Sequence, residues 1–259
     1  MTPDLSVVVP LRDEALNVEP LYDELTRALA AVSLPYEVIL VEDGSVDSTF
    51  EKLAALHARD ARIRVIRFAR NFGQTAAFAA GFAYARGQWI ATMDGDLQNN
   101  PADIPRLLRI AQTKDIVCGW RKERKDAFLT RHVPSVIANW LLSQVTGLHL
   151  HDNGCSLKVY RAAVVKPLRL RQGMHRYLPA LASQMGPRVD EVVVDHRPRR
   201  YGRSKYGLSR TLRVIVDLIQ LRSLMRRAID PSTPGIHYEI AEILESEPGD
   251  TRAARHRVN

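Results

Sequence analysis

A chain of 259 residues with 46% hydrophobic content can bury a full core, which excludes a disordered or fibrous polypeptide and leaves one mixed-class domain with an appendage. Only two cysteines are present, Cys118 and Cys155; they exclude a disulfide scaffold, fit a reducing compartment and lack the spacing of a zinc site. The net charge of +8 fits anionic partners, but aromatics are not regularly interleaved in the basic clusters at Arg121–Arg131, Arg197–Arg213 and Arg222–Arg227, which favours phosphates and a membrane surface over nucleic acid.

In chain order the first half alternates strand and helix. Leu5–Pro10 reads as a strand and Val18–Val32 as a helix; Tyr36–Val41 and Ser48–Arg59 repeat the pair. Arg64–Phe68, the small-residue helix Thr75–Arg86, Trp89–Met93, the helix Pro101–Gln112 and the strand Asp115–Gly119 follow. This alternation predicts a three-layer α/β fold around a mostly parallel sheet, with ligands bound beyond the carboxyl ends of the strands. The second half is less regular. His132–His151 is too polar to span a membrane, and its apolar residues recur at helical spacing over 133–148. Ser156–Tyr160 and Val189–His196 read as strands and Gly207–Ala228 as an amphipathic helix. A short helix is expected over Ile236–Ser246 in a polar, partly disordered end. The start of the chain enters a strand pattern at once, so no secretory leader is expected.

Four polar loops fall at the predicted strand ends: Pro10–Glu14, Asp43, Arg70–Gln74 and Asp94–Gln98. Neither a Gly-x-Gly-x-x-Gly nor a P-loop motif accompanies them, which argues against a dinucleotide enzyme or a P-loop ATPase. Asp94 and Asp96 are costly at the end of a buried strand unless a cation sits on them. With Gln98 they offer hard oxygen donors suited to Mg²⁺ or Mn²⁺ holding a diphosphate. The plain alternative is a strand-to-helix turn with a capping acid. Asp47 and Ser48 read equally well as helix caps, and Glu14 as a first-turn acid favoured by the helix dipole.

The ordered set Val7-Val-Val-Pro-Leu-Arg-Asp-Glu14, Glu42-Asp-Gly-Ser45, Arg70-Asn-Phe-Gly-Gln74 and Asp94-Gly-Asp-Leu-Gln98 resembles the inverting GT-A glycosyltransferases of family 2. Gly119-Trp-Arg121, Asp152-Asn-Gly-Cys155, His175-Arg-Tyr177 and His196-Arg-Pro-Arg-Arg-Tyr-Gly-Arg-Ser-Lys-Tyr206 resemble the branch that glycosylates polyprenyl phosphates, and the likeness runs over roughly residues 4–222. The family's usual Asp-Asp-Gly-Ser is Glu42-Asp43-Gly-Ser here. The resemblance implies a Rossmann-like GT-A domain over 1–206, an interface helix over 207–228 and the tail over 229–259. It implies a nucleotide-sugar donor, UDP- or GDP-linked, held by Pro10, Arg12, Glu14, Asp43, Gln74, Asp94 and Lys205, with Asp94, Asp96 and Gln98 on the metal. Asp96, Asp152 and Arg121 are the implied catalytic residues.

An acceptor monophosphate is largely dianionic near neutrality and needs positioning more than deprotonation. Arginine forks suit that task, and Arg121, Arg131, Ser135, Arg199 and Arg203 are the acceptor-phosphate candidates. Asp152 either orients a hydroxyl or acts as a base. His175, His196 and Cys155 are expected to be structural. Peripheral attachment to the cytoplasmic face of a membrane is expected through the helices at 133–148 and 207–228, directly or through a membrane partner subunit; the alternative packs both helices on the core or in a homo-oligomer. Two other functions stay open: a soluble transferase acting on a saccharide or protein hydroxyl, and a non-catalytic basic module.

Overall fold

The computed structural model describes residues 2–122, 142–144, 146–200, 221–246 and 253–256. Nine strands form one sheet: β1 (Leu5–Leu11), β2 (Tyr36–Glu42), β3 (Ile63–Phe68), β4 (Trp89–Thr92), β5 (Ile116–Trp120), β6 (Lys158–Arg161), β7 (Val189–Val193), β8 (Ile240–Ser246) and β9 (Ala253–His256). Their spatial order is β7-β5-β6-β4-β1-β2-β3-β8-β9. The sheet is mostly parallel, because among the described strands β6 and β8 alone run against the rest. The central strands are continuous runs of Val, Ile and Leu with both faces covered, as a buried parallel sheet requires.

Alternate residues feed two separate cores. Val7 and Val9 of β1 join α1 (Val18–Leu29), α2 (Thr49–Arg59) and α4 (Ile104–Ala111) on one face. Val8 points the other way, toward α3 (Gln74–Tyr84) and the short helices α5 (Ala162–Val165) and α6 (Leu178–Ala182). The small residues of α3 have a steric reason. A Cβ on Gly81 would stand 2.2 Å from Val8 Cγ1, so this helix lies closer to the sheet than bulkier side chains permit.

One expected element is corrected. Ile236–Ser246 is not a helix; its second part is β8, paired antiparallel with β3 in the register Val65↔Leu244 and Ile66↔Ile243. Ile240, Ile243 and Leu244 fit helical spacing, but an open sheet edge and a buried arginine decide the outcome. Arg64, 5% exposed, binds Glu37 at 2.9 Å and Glu245 at 2.7 Å, and Tyr238 stacks on Phe68. Within the expected tail, Ala253–His256 adds β9 to this edge.

The expected interface helices lie largely outside the described residues. Of the 133–148 stretch, residues 142–144 and 146 are described and are helical, with Leu142 buried in the core. The end of the 207–228 stretch is described as α7 (Leu221–Ile229). Its Met225 and Ala228 are buried in the core, while Arg222, Arg226 and Arg227 face outward. Among the described residues no helix is long and apolar enough to cross a membrane.

Candidate active site

Parallel β1, β2, β3 and β4 deliver their following loops to one edge of the sheet. There the first two loops are stitched together. Asp13 and Glu14 donate their backbone N–H groups to Ser45 Oγ (3.0 Å) and Thr49 Oγ1 (2.9 Å), and Ala15 N–H reaches Asp47 Oδ2 at 3.2 Å. Val46 N–H donates back to Asp13 Oδ1 at 2.9 Å. Asp47 also accepts from Thr49 N–H at 3.0 Å, so it braces both loops at once. Pro10 pairs with Val41 inside β1, which runs one residue further than expected, and Arg12 is half-exposed beside Asp13.

Asp43 anchors the third loop. Its carboxylate accepts from Asn71 Nδ2 (2.7 Å), Phe72 N–H (2.7 Å) and Gly73 N–H (3.0 Å). Burial raises its pKa although these backbone bonds and the Arg12 charge pull it down. The approach is close: a Cβ on Gly44, at φ +65°, would lie 2.3 Å from Asn71 N. Gln74, the first residue of α3, donates its amide to Asp94 Oδ1 at 2.7 Å.

The fourth loop carries the carboxylate pair. Buried Asn99 holds it in place, accepting Asp94 N–H at 3.2 Å and Ser156 Oγ–H at 2.8 Å through the same oxygen. Asp96 Oδ1 accepts Gln98 N–H at 3.1 Å across Leu97, which adopts φ +63°. Among the described residues the two non-glycine positions with positive φ are Leu97 and Asp13, and both lie in these loops, where strain is tolerated for function. Asp96 is 7% exposed. Burial and then the Asp94 charge push its pKa up to about 6, against the pull of Arg199.

Two neighbouring carboxylates, the buried one matched by a single arginine, fit a hard divalent cation. Among the described residues no cluster of three or more His, Cys, Asp or Glu side chains is placed to hold a metal. A cation on Asp94 and Asp96 therefore needs oxygens from a ligand. Gln98 donates its amide Nε2 to Arg197 O at 3.3 Å.

The basic residues reach this edge from the other half of the sheet. Arg199 binds Asp96 Oδ2 at 2.6 Å and stands 3.5 Å from Glu14 Oε1, so it joins a predicted metal ligand to a predicted nucleotide residue. Arg121 grips Asp152 with both arms, Nε to Oδ2 at 2.7 Å and Nη2 to Oδ1 at 3.0 Å. Burial opposes the Arg121 charge, but the Asp152 bond more than restores it and its pKa is raised. Glu191 on β7 holds the 151–152 turn by accepting both backbone N–H groups at 3.0 Å. Arg131, Ser135, Arg203 and Lys205 lie outside the described residues.

Several working residues escaped sequence reasoning. Lys158, 2% exposed, donates to the carbonyls of Asn153 (3.0 Å) and Cys155, closing the turn that presents Asp152. A lysine inside an apolar strand was the available signal. His196 is buried in a bridge with Asn99, and His175 bonds Thr75 Oγ1 at 2.7 Å; both fit the structural roles expected of them.

A sheet of this order, with an Asp-x-Asp pair beyond the fourth strand and arginines reaching over it, defines a GT-A-type transferase scaffold. The chain belongs to glycosyl transferase family 2, whose family model matches residues 6–169. It is 45% identical over 233 residues to a dodecaprenyl-phosphate galacturonate synthase of Rhizobium johnstonii, covering 88% of this chain and 69% of that protein. It is 37% identical over 217 residues to an undecaprenyl-phosphate 4-deoxy-4-formamido-L-arabinose transferase of Yersinia pestis, covering 83% of this chain and 66% of that protein. Among solved structures, glucosyl-3-phosphoglycerate synthase from Mycobacterium tuberculosis with Mn²⁺ and UDP-glucose shares the fold at a TM-score of 0.66 and 18% identity, covering 99% of this chain and 86% of that one.

Proposed function

We propose that this chain transfers a sugar, with inversion, from a nucleotide sugar to a polyprenyl phosphate. The observation that carries the acceptor class is the Arg121–Asp152 pair. A carboxylate chelated by a guanidinium is a poor base, so a neutral hydroxyl acceptor would be left unactivated. A phosphate monoester arrives already ionised and asks only for orientation beside another anion. The two relatives support the same acceptor, since each is named for a polyprenyl phosphate.

On this reading Asp94 and Asp96 would hold Mg²⁺ or Mn²⁺ with the donor's diphosphate. The metal, when bound, supplies charge neutralisation to the leaving group. The stitched loops 12–15, 43–49 and 71–74 hold the nucleoside end still. Arg199 leaves its contacts with Asp96 and Glu14 to serve phosphate oxygens, while the Arg121–Asp152 pair fixes the floor beneath the sugar. The phosphate oxygen attacks the anomeric carbon from the face opposite the leaving diphosphate, so an α-linked donor gives a β-linked product.

Attachment is peripheral, on the cytoplasmic face. The apolar side of α7 is spent on the core, so its outward arginines, Arg222, Arg226 and Arg227, provide an electrostatic hold on anionic lipid. Flotation with anionic liposomes should be strong in low salt and weak near 0.5 M.

The deciding assay supplies Mg²⁺ or Mn²⁺, a short polyprenyl phosphate and a panel of nucleotide sugars, and looks for a glycosylated lipid phosphate. Asp152→Asn should keep measurable turnover, reduced about 10- to 100-fold. Complete loss in that variant, with transfer to a saccharide hydroxyl by the wild type, would overturn the reading.

A further inference from the structure

Three arginines around the site are held by acids. Arg121 is held by Asp152, Arg199 by Asp96 and Glu14, and Arg197 by Glu24 at 2.8 Å. Arg176 is different. Its Nε and Nη1 are shut off from solvent and meet no acceptor. The residue as a whole is part-exposed, but sealing two of its nitrogens without an acceptor is costly, because a buried polar group is tolerated only when hydrogen-bonded.

The position of Arg176 is fixed on both sides. It lies in the turn Met174–Tyr177, whose ends Met174 and Tyr177 are buried in the core. Its neighbour His175 bonds Thr75 Oγ1, and Gly173 N–H donates to the same oxygen at 2.9 Å. Thr75 follows Gln74, which grips Asp94. Two hydrogen bonds and one peptide link thus connect this turn to the carboxylate pair. A turn tied to that pair, with an arginine that has two unpartnered nitrogens, suits an anion.

We propose that Arg176 is an acceptor-positioning residue that receives the phosphomonoester dianion of the lipid acceptor. This rests on the acceptor class proposed above. The donor's diphosphate would have the carboxylate-bound cation as its partner, so the unused donors of Arg176 suit the second anion, the nucleophile, alongside Arg121 and Arg199. Arginine, unlike lysine, meets a phosphate with two parallel bonds and so fixes the direction of the attacking oxygen as well as its place.

The test compares wild type with Arg176→Gln and Arg176→Lys, using farnesyl phosphate, farnesol and UDP as probes. Arg176→Gln should raise the KM for the polyprenyl phosphate about 10- to 100-fold while the donor KM and UDP affinity stay unchanged. Arg176→Lys should recover part of the loss. Thermal melting adds a readout that a merely structural arginine would move the other way. Without ligand, Arg176→Gln should melt at or above the wild type, and the upward shift that farnesyl phosphate gives the wild type should vanish. Farnesol should behave alike with both. An unchanged acceptor KM overturns the proposal, as does a loss confined to the donor KM, the result expected if Arg176 reads a carboxylate on the donor sugar. A wild type that neither binds nor glycosylates any polyprenyl phosphate overturns the proposed function and this role together, whereas normal wild-type turnover matched by Arg176→Gln overturns the role alone.

Discussion

The loops after β1, β2 and β3 and the segments that reach them from the other half of the sheet are held by different forces. The first group is fixed by backbone amides bonded to short side chains: Asp13 to Ser45, Glu14 to Thr49, and Phe72 and Gly73 to Asp43. The second group is fixed by charge: Arg121 on Asp152, Arg199 on Asp96 and Glu14, Glu191 on the 151–152 turn. An amide bonded within its own loop network has little to gain from a ligand. An arginine on a carboxylate can trade that partner for a phosphate, because the two anions offer similar bidentate geometry. One side is thus a preformed cradle and the other a set of exchangeable ion pairs, and Arg199 is where they meet.

The largest effect should come from Asp96, which belongs to both sides. Asp96→Ala should cut turnover by at least about 10³-fold, since it removes a proposed metal oxygen and the resting partner of Arg199 together. Mn²⁺ binding, followed by the loss of its free electron-spin signal, should fall in parallel. Intact turnover in this variant would end the metal assignment. Asp43→Ala comes next. It leaves the Phe72 and Gly73 amides without their carboxylate, so chemical denaturation should show a loss of about 2–4 kcal/mol. The donor KM should rise more than the acceptor KM, which would separate the cradle from the exchangeable side.

A pH series sharpens the same contrast. Asp96 binds its proton more tightly in the folded chain, with a pKa pushed to about 6, than in an unfolded one near 4. Folding therefore takes up a proton between about pH 4 and pH 6, and the stability of the metal-free protein from this group falls as pH rises through that window. Asp96→Asn should remove this slope. In the wild type, Mn²⁺ affinity should climb as pH passes about 6, because the metal needs the carboxylate deprotonated. A Mn²⁺ affinity flat from pH 5 to pH 7 would contradict the burial of Asp96 as described.

The two sides were also unequally legible in the sequence. The cradle was readable because strand periodicity and Gly-Ser or Asn-Phe-Gly turns are local signals, and a parallel sheet brings such loops to one edge automatically. Asp43, Gln74, Asp94 and Asp96 thus came together as expected. What Asp43 holds was not readable, because its partners Asn71–Gly73 lie some thirty residues away. On the other side, Arg121 and Asp152 were singled out separately, and nothing in their spacing showed that they pair. Lys158 and Glu191 were passed over because a charged residue in a strand looks like a solvent-facing one until the neighbouring strands are in place. The bond from Gln98 Nε2 to Arg197 O was equally unreadable, because it crosses from the fourth loop to a segment about a hundred residues away.

The smallest effect on turnover should come from the edge that sequence periodicity misread. Ile240, Ile243 and Leu244 satisfy helical spacing, so the local signal and the final structure disagree over β8. The nonlocal contact that decides the matter is ionic: Glu245 lies 2.7 Å from both Arg64 and Arg86. Arg64 is buried and keeps Glu37 and the Tyr84 carbonyl even without Glu245, so losing one partner of several costs less than stranding the charge. Glu245→Gln should lower stability by about 1–2 kcal/mol, read as a fall of a few degrees in Tm, and leave both KM values unchanged. Arg64→Met removes the buried charge itself and leaves Glu37 bonded to Ser6 and the Arg86 amide. This variant should lose amide-exchange protection along Ile243 and Leu244. Retained protection would show that the apolar pairing with β3, rather than the ion pair, pins the strand to the sheet.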